Sequence, residues 1–349
     1  MNPLGDDRAL AARIEQYLTT QAGRPVTVGT IRRFPVGFSW LTFAVPISGL
    51  EGEETRELIL RLGPADGLFA PYSATPQVQA MRTFAPSDVP VPRAYWHSDD
   101  PAILGAPFLF CEKAEGHAIV PWVPASEPPL EEGYRKRVGT QFIDALAALH
   151  RLDWRDQPIA AMATTATTAD GTITPENAAH HAVQAYKRLI DRWAMRPYPL
   201  AEWGIRWLEQ HCPVAPRVTV VHGDYRTGNF LEHDGRISAI LDWELVHLGD
   251  PHEDLAWVSM PMYKGGSPYL CRLCEPEWFY ERWAAQSGIA VNMASVRYYQ
   301  VFSLLKLAAT HMAAARCFEE GRFNDLRMPA MGSQVATCLR QMDKLIESA

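Results

Sequence analysis

The sequence has no block of clustered lysine and arginine, no long apolar run and few cysteines. Its 349 residues carry 33 Lys and Arg against 40 Asp and Glu, which gives a formal net charge of −7. An extended phosphate polymer needs many clustered cations, so no nucleic-acid partner is expected. No apolar run approaches the roughly 18 residues of a membrane-spanning helix, so no membrane partner is expected either. A small phosphorylated ligand stays compatible with this composition, because a single site can be locally basic.

The six cysteines are too scattered for a disulfide framework in a chain of this length. Cys271 and Cys274 have the spacing of a zinc or redox pair, but no second close pair accompanies them, so metal or redox use is not favoured. The first residues lack the basic and then apolar pattern of a secretory signal. We therefore expect a cytoplasmic protein.

Short β-rich runs occupy the first third of the chain, after an amphipathic helical segment at residues 7–19. In the run ELILRL, three leucines alternate with Ile59 and Arg61, as in a strand with one buried face. Helical periodicity dominates later, interrupted by the Thr- and Ala-rich residues 156–176, which predict a mobile surface loop.

These patterns predict an α+β fold with two lobes. Residues 1–113 would form a small β-rich N-terminal lobe. Residues 114–349 would form a larger, mainly helical C-terminal lobe.

Polar residues cluster around a short apolar hairpin in the stretch VVHGDYRTGNFLEHDGRISAILDWELVHLGDP. Its Asp-Gly pair at position 234 is a strong two-residue turn signal, and such a turn makes residues whose numbers sum to about 469 face each other. Asn229 then lies close to Asp242 across the hairpin, and Asp224 enters at the same end. Amide and carboxylate oxygens are hard donors that suit Mg²⁺.

Each of these residues alone is more often structural, because Asp and Asn are common in turns and a buried His often satisfies a core hydrogen bond. Their joint spacing is rare by chance and favours a catalytic site. Asp250 and Asp254 in the sequence DPHED are expected to cap a helix, with a capping box completed by Glu253, and to brace a loop.

The motif HGDYRTGN…LDWE resembles that of the aminoglycoside phosphotransferase family, which is itself similar to protein kinases. The longer form ending in GDPHEDLAW is closer to the kinase-like domain of acyl-CoA dehydrogenase family proteins and its free-standing bacterial relatives. The resemblance implies a protein-kinase-like fold that uses ATP and Mg²⁺. It implies that residues 1–113 bind the nucleotide and that residues 114–349 hold the catalytic and substrate-binding residues. It implies that Asp224 is the base, that His222 braces the catalytic loop, and that Asn229 and Asp242 bind the metal. Glu244 would be a further metal contact or a supporting residue.

In a kinase-like fold, the small lobe covers the triphosphate and supplies a cation to it. Gly37 and Ser39, in the loop PVGFSW, are candidates for backbone contacts to phosphate. Arg61 is the candidate cation, at the position where protein kinases carry lysine. Its usual glutamate partner is missing, since the neighbouring helix offers Gln77 and Gln79. Another acceptor, or ATP itself, must then hold Arg61.

The connection between the lobes, at Glu112 and Ala114, is expected to present backbone groups to adenine. The favoured function is transfer of the γ-phosphate of ATP to a hydroxyl of a small molecule. The resemblance points to a hydroxyacyl-CoA or a hydroxy acid as that molecule.

Two alternatives stay open. An aminoglycoside or other antibiotic O-phosphotransferase is the first, although the C-terminal helices contain no dense acidic cluster. A nucleotide-binding regulator without catalysis is the second, supported by Arg61 and the missing glutamate but opposed by the intact catalytic motif. A protein kinase is least favoured, because no A-P-E segment follows Asp242.

Overall fold

The computed structural model describes residues 7–35, 37, 39–50, 55–64, 67–124, 126–165, 172–322 and 325–348. The chain divides into two compact units. The first contains Met1–Arg82 and Pro92–Ala114, and the second contains Thr83–Val91 and Glu115–Ala349.

Over its described residues, the first unit is an antiparallel sheet with three helices. Its strands are β1 (Thr27–Val28), β2 (Arg32–Phe34), β3 (Leu41–Ser48), β4 (Arg56–Leu62), β5 (Ala94–Ser98) and β6 (Phe108–Glu112), and its helices are α1 (Asp7–Ala22), α2 (Thr75–Phe84) and α3 (Pro101–Leu104). The strands lie in the order β1-β3-β4-β6-β5, with β2 paired to β3. The last two residues of α2 belong to the second unit.

One face of this sheet forms the core of the first unit. Leu58, Leu60 and Leu62 on β4 are fully buried there, as their alternation predicts. The amphipathic helix α1 contributes three buried residues to the same cluster, at the spacing of one helix face: Leu10, Ile14 and Leu18. Arg61 lies on the opposite face of β4 and is half-buried.

The second unit is mainly helical. Its helices are α4 (Glu132–Arg151), α5 (Ala161–Thr165), α6 (Ala178–Trp193), α7 (Pro199–Gln210), α8 (His252–Val258), α9 (Pro276–Ser287), α10 (Met293–Glu319), α11 (Arg327–Gly332) and α12 (Val335–Glu347). The long helix α10 is buried around most of its circumference and packs against α6, α7, α8, α11 and α12. A helix that is apolar all round belongs in an interior, so α10 is the central element of this unit.

Two small antiparallel sheets complete the second unit. Their strands are β7 (His117–Ala118), β8 (Thr219–Val221), β9 (Phe230–His233), β10 (Arg236–Ile240) and β11 (His247–Gly249). One sheet has the order β10-β9-β7, and the other pairs β8 with β11. The predicted fold class, a β-rich lobe and a helical lobe, is confirmed.

The Thr- and Ala-rich stretch differs from the loop predicted for it. Pro158–Ala160 is a 3₁₀ turn and α5 follows directly, while residues 166–171 lie outside the described part of the chain. Ile159 is fully buried, which anchors the turn, and alanine favours the helix that follows. Among the helices in the described ranges, none combines the length and apolar character required to cross a membrane.

Candidate active site

The hairpin of β9 and β10 has the turn that its Asp-Gly pair predicts. Asp234 and Gly235 take φ values of 50° and 77°, both left-handed, as a two-residue type I′ turn requires. Ile237 then lies opposite Glu232, which is the predicted register. A bulge after Ile237 shifts the rest of the ladder by one residue.

The same hairpin brings Asn229 next to the chain that leads into Asp242. The Leu241 N–H donates to the Asn229 carbonyl oxygen at 2.7 Å, so the predicted proximity at this end of the hairpin is confirmed. Asp242 has φ 65° and ψ 53°. A non-glycine residue in this left-handed region is uncommon and typical of functional sites.

Three side chains donate hydrogen bonds to the carboxylate of Asp224. Arg226 donates from Nε to Oδ1 at 2.9 Å and from Nη2 to Oδ2 at 3.2 Å. Trp257 Nε1 donates to Oδ1 at 2.7 Å, and Asn229 Nδ2 donates to Oδ2 at 2.5 Å. The side chain of Asp224 still keeps 15% of its surface exposed. The carboxylate is therefore oriented by its neighbours while a hydroxyl can still approach it.

His222 is buried and links the Asp224 loop to the end of β10. Its Nε2 donates to the Leu241 carbonyl at 2.9 Å, and its Nδ1 accepts the Asp224 N–H at 3.2 Å. Burial lowers the pKa of His222, and a neutral ring with its hydrogen on Nε2 satisfies both bonds. The ring thus has the bracing geometry expected from the sequence.

Asp254 braces the same loop from inside. Its carboxylate accepts the N–H of His222 at 2.8 Å, the N–H of Gly223 at 2.9 Å and a bond from His150 Nε2 at 3.1 Å. Burial alone would raise the pKa of Asp254, but His150 and the His222 amide outweigh burial and lower it. The expected role of Asp254 as a loop brace is confirmed.

The predicted capping box at the start of α8 does not form. Asp250 accepts the backbone N–H of His252, the first residue of α8, at 2.9 Å, and so satisfies an N–H at the N-terminus of this helix. Glu253, however, does not close the box, because its carboxylate binds Lys306 at 3.0 Å and His247 at 3.1 Å.

Arg226, Trp257 and Lys306 are site residues that the sequence reasoning did not assign. The Arg226 guanidinium lies 5.1 Å from the ring centroid of Trp122 and 5.4 Å from that of Tyr263. Burial opposes its charge, but Asp224 outweighs burial and raises the pKa of Arg226. The available signal was the motif itself, because Arg226 stands two residues after Asp224.

Lys306 is a deeply buried charge of the site, with 2% of its side chain exposed. It lies on α10 within the apolar run VFSLLKLAA, and a lone lysine in such a run is the signal that could have found it. Its Nζ donates to the Gly223 carbonyl at 2.6 Å and to Glu253 at 3.0 Å. Burial alone would raise the pKa of Glu253, but Lys306 and His247 lower it to about 2.

The donor set of Asn229 and Asp242 fits Mg²⁺. The Asn229 amide nitrogen donates to the backbone oxygen and to the carboxylate of Asp224, so the amide oxygen is the atom of this side chain that is available to a metal. Within the described ranges, no group of three or more His, Cys, Asp or Glu could hold a metal. Mg²⁺ usually keeps waters and binds one or two carboxylates together with substrate phosphates. Two oxygen donors therefore suit an ion that arrives with a nucleotide.

Glu244 follows Asp242 in a short 3₁₀ turn, Trp243–Leu245. Together with residues 245–248 it forms part of the wall of a cavity of about 330 Å³ in the second unit. The wall is mostly apolar, and its other members are Met162, Ile173, Ala178, His181, Ala182, Ala185, Tyr186, Arg188, Leu189, Glu253 and Phe302. Glu253 lines this cavity and binds Lys306, which also binds the Gly223 carbonyl in the loop before Asp224.

Cys271 and Cys274 lie in the core of the second unit. Both are buried free thiols. Burial raises the pKa of both, that of Cys271 to about 12, so they stay protonated and behave as core residues.

In the first unit, the predicted strand–loop–strand around Gly37 and Ser39 is present, since β2 and β3 pair with Phe34 opposite Thr42. Gly37 has φ 108° and is exposed, whereas Ser39 is buried. A positive φ of this size is the reason for glycine at position 37. Val36 and Phe38 lie outside the described residues.

Arg61 has an acceptor that is neutral. Its Nη1 donates to Gln77 Oε1 on α2 at 2.9 Å, and its guanidinium lies 5.7 Å from the ring centroid of Trp40. Gln77 is thus an acceptor for Arg61 on the helix where the resemblance to kinases implies a glutamate. The amide orients Arg61 without adding a negative charge of its own.

Glu112 ends β6, and Ala114 is the last residue of the first unit. The Glu112 N–H donates to the Arg93 carbonyl at 2.9 Å, so this group already belongs to the sheet. Ala114 is half-buried. As a contact to adenine, the connection at Glu112 and Ala114 stays a prediction.

A model of the phosphotransferase enzyme family matches residues 30–298, which is well over half of the chain. The chain belongs to this family. Acyl-CoA dehydrogenase family member 10 of Mus musculus is 27% identical over 268 residues, which are 73% of this chain and 24% of that protein. The chain spans about a quarter to two-fifths of the length of the curated relatives it matches. The resemblance stated from the motifs is confirmed.

Solved structures share the fold. One from Ralstonia eutropha JMP134, described as a candidate aminoglycoside phosphotransferase, has a TM-score of 0.71 and 20% identity over 97% of this chain and 98% of its own. A thermostable mutant of aminoglycoside phosphotransferase APH(4)-Ia, in a ternary complex with AMP-PNP and hygromycin B, has a TM-score of 0.58 and 18% identity over 96% and 98%. At these identities the likeness establishes the kinase-like fold alone.

Proposed function

We propose that the protein is an ATP- and Mg²⁺-dependent O-phosphotransferase of the cytoplasm that moves the γ-phosphate of ATP to a hydroxyl of a small molecule. The observation that carries the proposal is the carboxylate of Asp224. It is partly exposed, it is oriented by hydrogen bonds from Arg226, Trp257 and Asn229, and it follows a loop that Asp254 and His222 brace. Such a carboxylate suits the base of an alcohol kinase.

In the proposed step, a bond forms between the hydroxyl oxygen and the γ-phosphorus, and the bond from that phosphorus to the β,γ-bridging oxygen breaks. The hydroxyl proton passes to Asp224, and ADP leaves with the electron pair of the broken bond. Asn229 and Asp242 would hold Mg²⁺, with Glu244 as a further candidate. When bound, the ion supplies charge neutralisation at the phosphates.

In the first unit, Arg61 is the candidate cation for the phosphates, oriented by Gln77. The backbone at Gly37 and Ser39 is the candidate phosphate loop. Backbone groups at Glu112 and Ala114 are the candidates for adenine, with the Glu112 N–H already engaged by Arg93.

For the acceptor, we favour a hydroxyacyl-CoA or a hydroxy acid with an apolar portion. The cavity that begins at Glu244, two residues after Asp242, is mostly apolar and carries Arg188 in its wall. An apolar wall stabilises a hydrocarbon portion, and an arginine suits a carboxylate or a similar anionic group. The similarity to acyl-CoA dehydrogenase family proteins supports the same class of acceptor.

A cationic aminoglycoside fits this cavity less well. Its wall has two acidic residues, Glu244 and Glu253, and Glu253 already binds Lys306 and His247. A regulator without catalysis is disfavoured by the oriented carboxylate of Asp224, since a binding protein has no need of a base.

The test is ADP formation with Mg-ATP and a panel of hydroxyacyl-CoA compounds, hydroxy acids and aminoglycosides. We expect turnover with a member of the first two classes and a loss of at least about 1,000-fold in Asp224→Asn. The matched control is Asp234→Asn, which changes an exposed turn aspartate to a residue that also accepts positive φ.

Binding of Mg-ATP without acceptor-dependent ADP formation above the Asp224→Asn background would favour the regulator. Turnover with aminoglycosides alone would favour the antibiotic phosphotransferase and overturn the proposed acceptor class.

A further inference from the structure

The backbone unit just before Asp224 is held at both of its polar ends. Its oxygen, the Gly223 carbonyl, accepts the Lys306 ammonium at 2.6 Å. Its N–H, that of Asp224, donates to His222 Nδ1 at 3.2 Å. Because a peptide unit is planar, fixing both ends fixes the direction in which the Asp224 Cα leaves it.

Lys306 also lies against the indole that orients the Asp224 carboxylate. Its Nζ is 4.8 Å from the ring centroid of Trp257, at cation–π distance. Trp257 Nε1 donates to Asp224 Oδ1 at 2.7 Å. The buried Lys306 ammonium thus contacts both groups that orient the Asp224 carboxylate: the backbone before Asp224 and the indole of Trp257.

Gly223 lies very close to the segment after Asp242. Its φ is 80°, and a Cβ on it would come within 2.6 Å of the Leu245 carbonyl oxygen. A residue with a side chain does not fit at this position, so the close approach of the chain depends on glycine.

We propose that Lys306 is a positioning residue of the phosphotransfer site, whose ammonium sets the place of the Asp224 carboxylate through Gly223 and Trp257. The proposal rests on the proposed function for the role of Asp224. It adds a residue on α10, 82 positions after Asp224 in the chain.

Stability alone is a poor reason for this lysine. A buried ion pair such as Lys306–Glu253 loses much of its attraction to desolvation, and apolar residues of similar size are often at least as stable. If Lys306 served packing alone, replacing it together with Glu253 would leave turnover unchanged. If Lys306 positions Asp224, the same replacement lowers turnover.

The variants are Lys306→Met, the double variant Lys306→Met/Glu253→Gln, and Lys306→Arg, with Lys187→Met as the matched control. Lys187 is a half-exposed lysine of α6 that pairs with Glu209. The double variant removes both charges and so leaves no uncompensated buried carboxylate at position 253. This keeps the test informative if the single variant folds poorly.

Two readouts are used on the full chain, and the first does not depend on activity. The indole ¹⁵N–¹H resonance of Trp257, assigned by its absence in Trp257→Phe, should shift in the Lys306 variants and stay in place in Lys187→Met. The second readout is turnover. We expect kcat to fall about 100-fold in the double variant with KM for ATP changed less than about threefold, since misplacing a reacting group by about 1 Å costs this much.

Lys306→Arg should recover part of kcat, because it restores a cation to the Gly223 carbonyl. An unmoved Trp257 resonance in the folded double variant, or a kcat within about threefold of wild type, would overturn the proposal. A rise in the KM for ATP of the same size as the expected fall in kcat, with kcat itself unchanged, would also overturn it. A wild-type protein without any ADP formation would instead count against the proposed function, and the Trp257 resonance would still report the positioning.

Discussion

Arg61 in the first unit and Arg226 in the second are both held by a side-chain acceptor, but the two acceptors differ in charge. Arg61 donates a hydrogen bond of 2.9 Å to the neutral amide of Gln77. Arg226 donates two bonds, at 2.9 and 3.2 Å, to the carboxylate of Asp224. A neutral acceptor orients a cation and adds nothing to neutralise it, whereas a carboxylate does both.

The difference matches the role proposed for each arginine. Arg61 is proposed to meet phosphate, and an amide partner does not compete with that anion for its charge. Arg226 is proposed to hold the base, and a forked pair fixes the carboxylate better than a single bond. In the proposed function, the first unit supplies a cation to the phosphates and the second unit supplies a carboxylate base.

The largest effect should come from breaking the charged pair. We expect Arg226→Met to lower kcat/KM by at least about 100-fold and the free energy of unfolding by up to about 3 kcal/mol, because Asp224 stays partly buried without its cation. For Arg226→Lys, both kcat/KM and the free energy of unfolding should lie between those of wild type and Arg226→Met, since lysine keeps the charge but cannot donate two bonds from a planar guanidinium. Turnover and denaturant unfolding check both values. Arg236→Met, at an exposed hairpin arginine, is the control and should change neither.

The second effect concerns the brace beneath the charged pair. Asp254→Asn replaces an acceptor of two backbone N–H groups by an amide that can accept at one atom alone. We expect a loss of about 2–3 kcal/mol in the free energy of unfolding, from a buried N–H left unsatisfied. Asp250→Asn should cost less, because the Asp250 Oδ2 has no hydrogen-bond partner in the part of the chain that the structure describes. Equal losses in the two variants would contradict this account.

A fall in pH should change the charge of histidines but not that of Arg61 and Arg226, because guanidinium groups stay charged at every pH of interest. Burial lowers the pKa of His311 to about 4. Below the ordinary histidine pKa, the unfolded chain binds a proton at this residue that the folded chain does not. Stability should therefore be lost as pH falls from about 6.5 towards 4, by about 1–2 kcal/mol at pH 5.

Denaturant unfolding at pH 7 and pH 5, for wild type and His311→Gln, measures this difference. The variant should lose less stability between the two pH values. Glu253, whose pKa is lowered to about 2, adds its own loss only at lower pH, as pH falls through about 4.5 towards 2.

The smallest effect should come from replacing the neutral acceptor Gln77 by a charged one. Gln77→Glu adds a carboxylate that competes with phosphate for Arg61, so KM for ATP should rise about three- to tenfold with little change in kcat. Gln79→Glu, on the same helix, is the control. A KM for ATP that stays the same or falls in Gln77→Glu would show that Arg61 does not meet the phosphates in the way proposed.

Local patterns in the sequence predicted those parts of the fold that depend on near neighbours. The Asp-Gly pair defined the turn between β9 and β10, and with it the approach of Asn229 to the chain before Asp242. The alternation in β4 indicated which face is buried. The loop predicted for residues 156–176 was wrong at Pro158–Ala160 and α5, because the buried Ile159 ties a polar stretch to the core.

Sequence patterns did not predict which residues contact the site residues. Trp257 and Lys306 reach the Asp224 loop from α8 and α10, and no local spacing relates them to it. Gln77 was noted as a departure from a kinase pattern, yet its bond to Arg61 depends on how α2 packs on the sheet. Glu253 was expected in a capping box, and a buried ammonium from another helix attracts it instead.

The sequence by itself determined the phosphotransferase motif, the hairpin register and the division into a β-rich and a helical part, because these follow from chemistry and spacing within short stretches of chain. Only the tertiary structure decided which donors orient Asp224 and which charges lie behind it. Those contacts join residues far apart in the chain, and burial gives each of them a strength that no local pattern encodes.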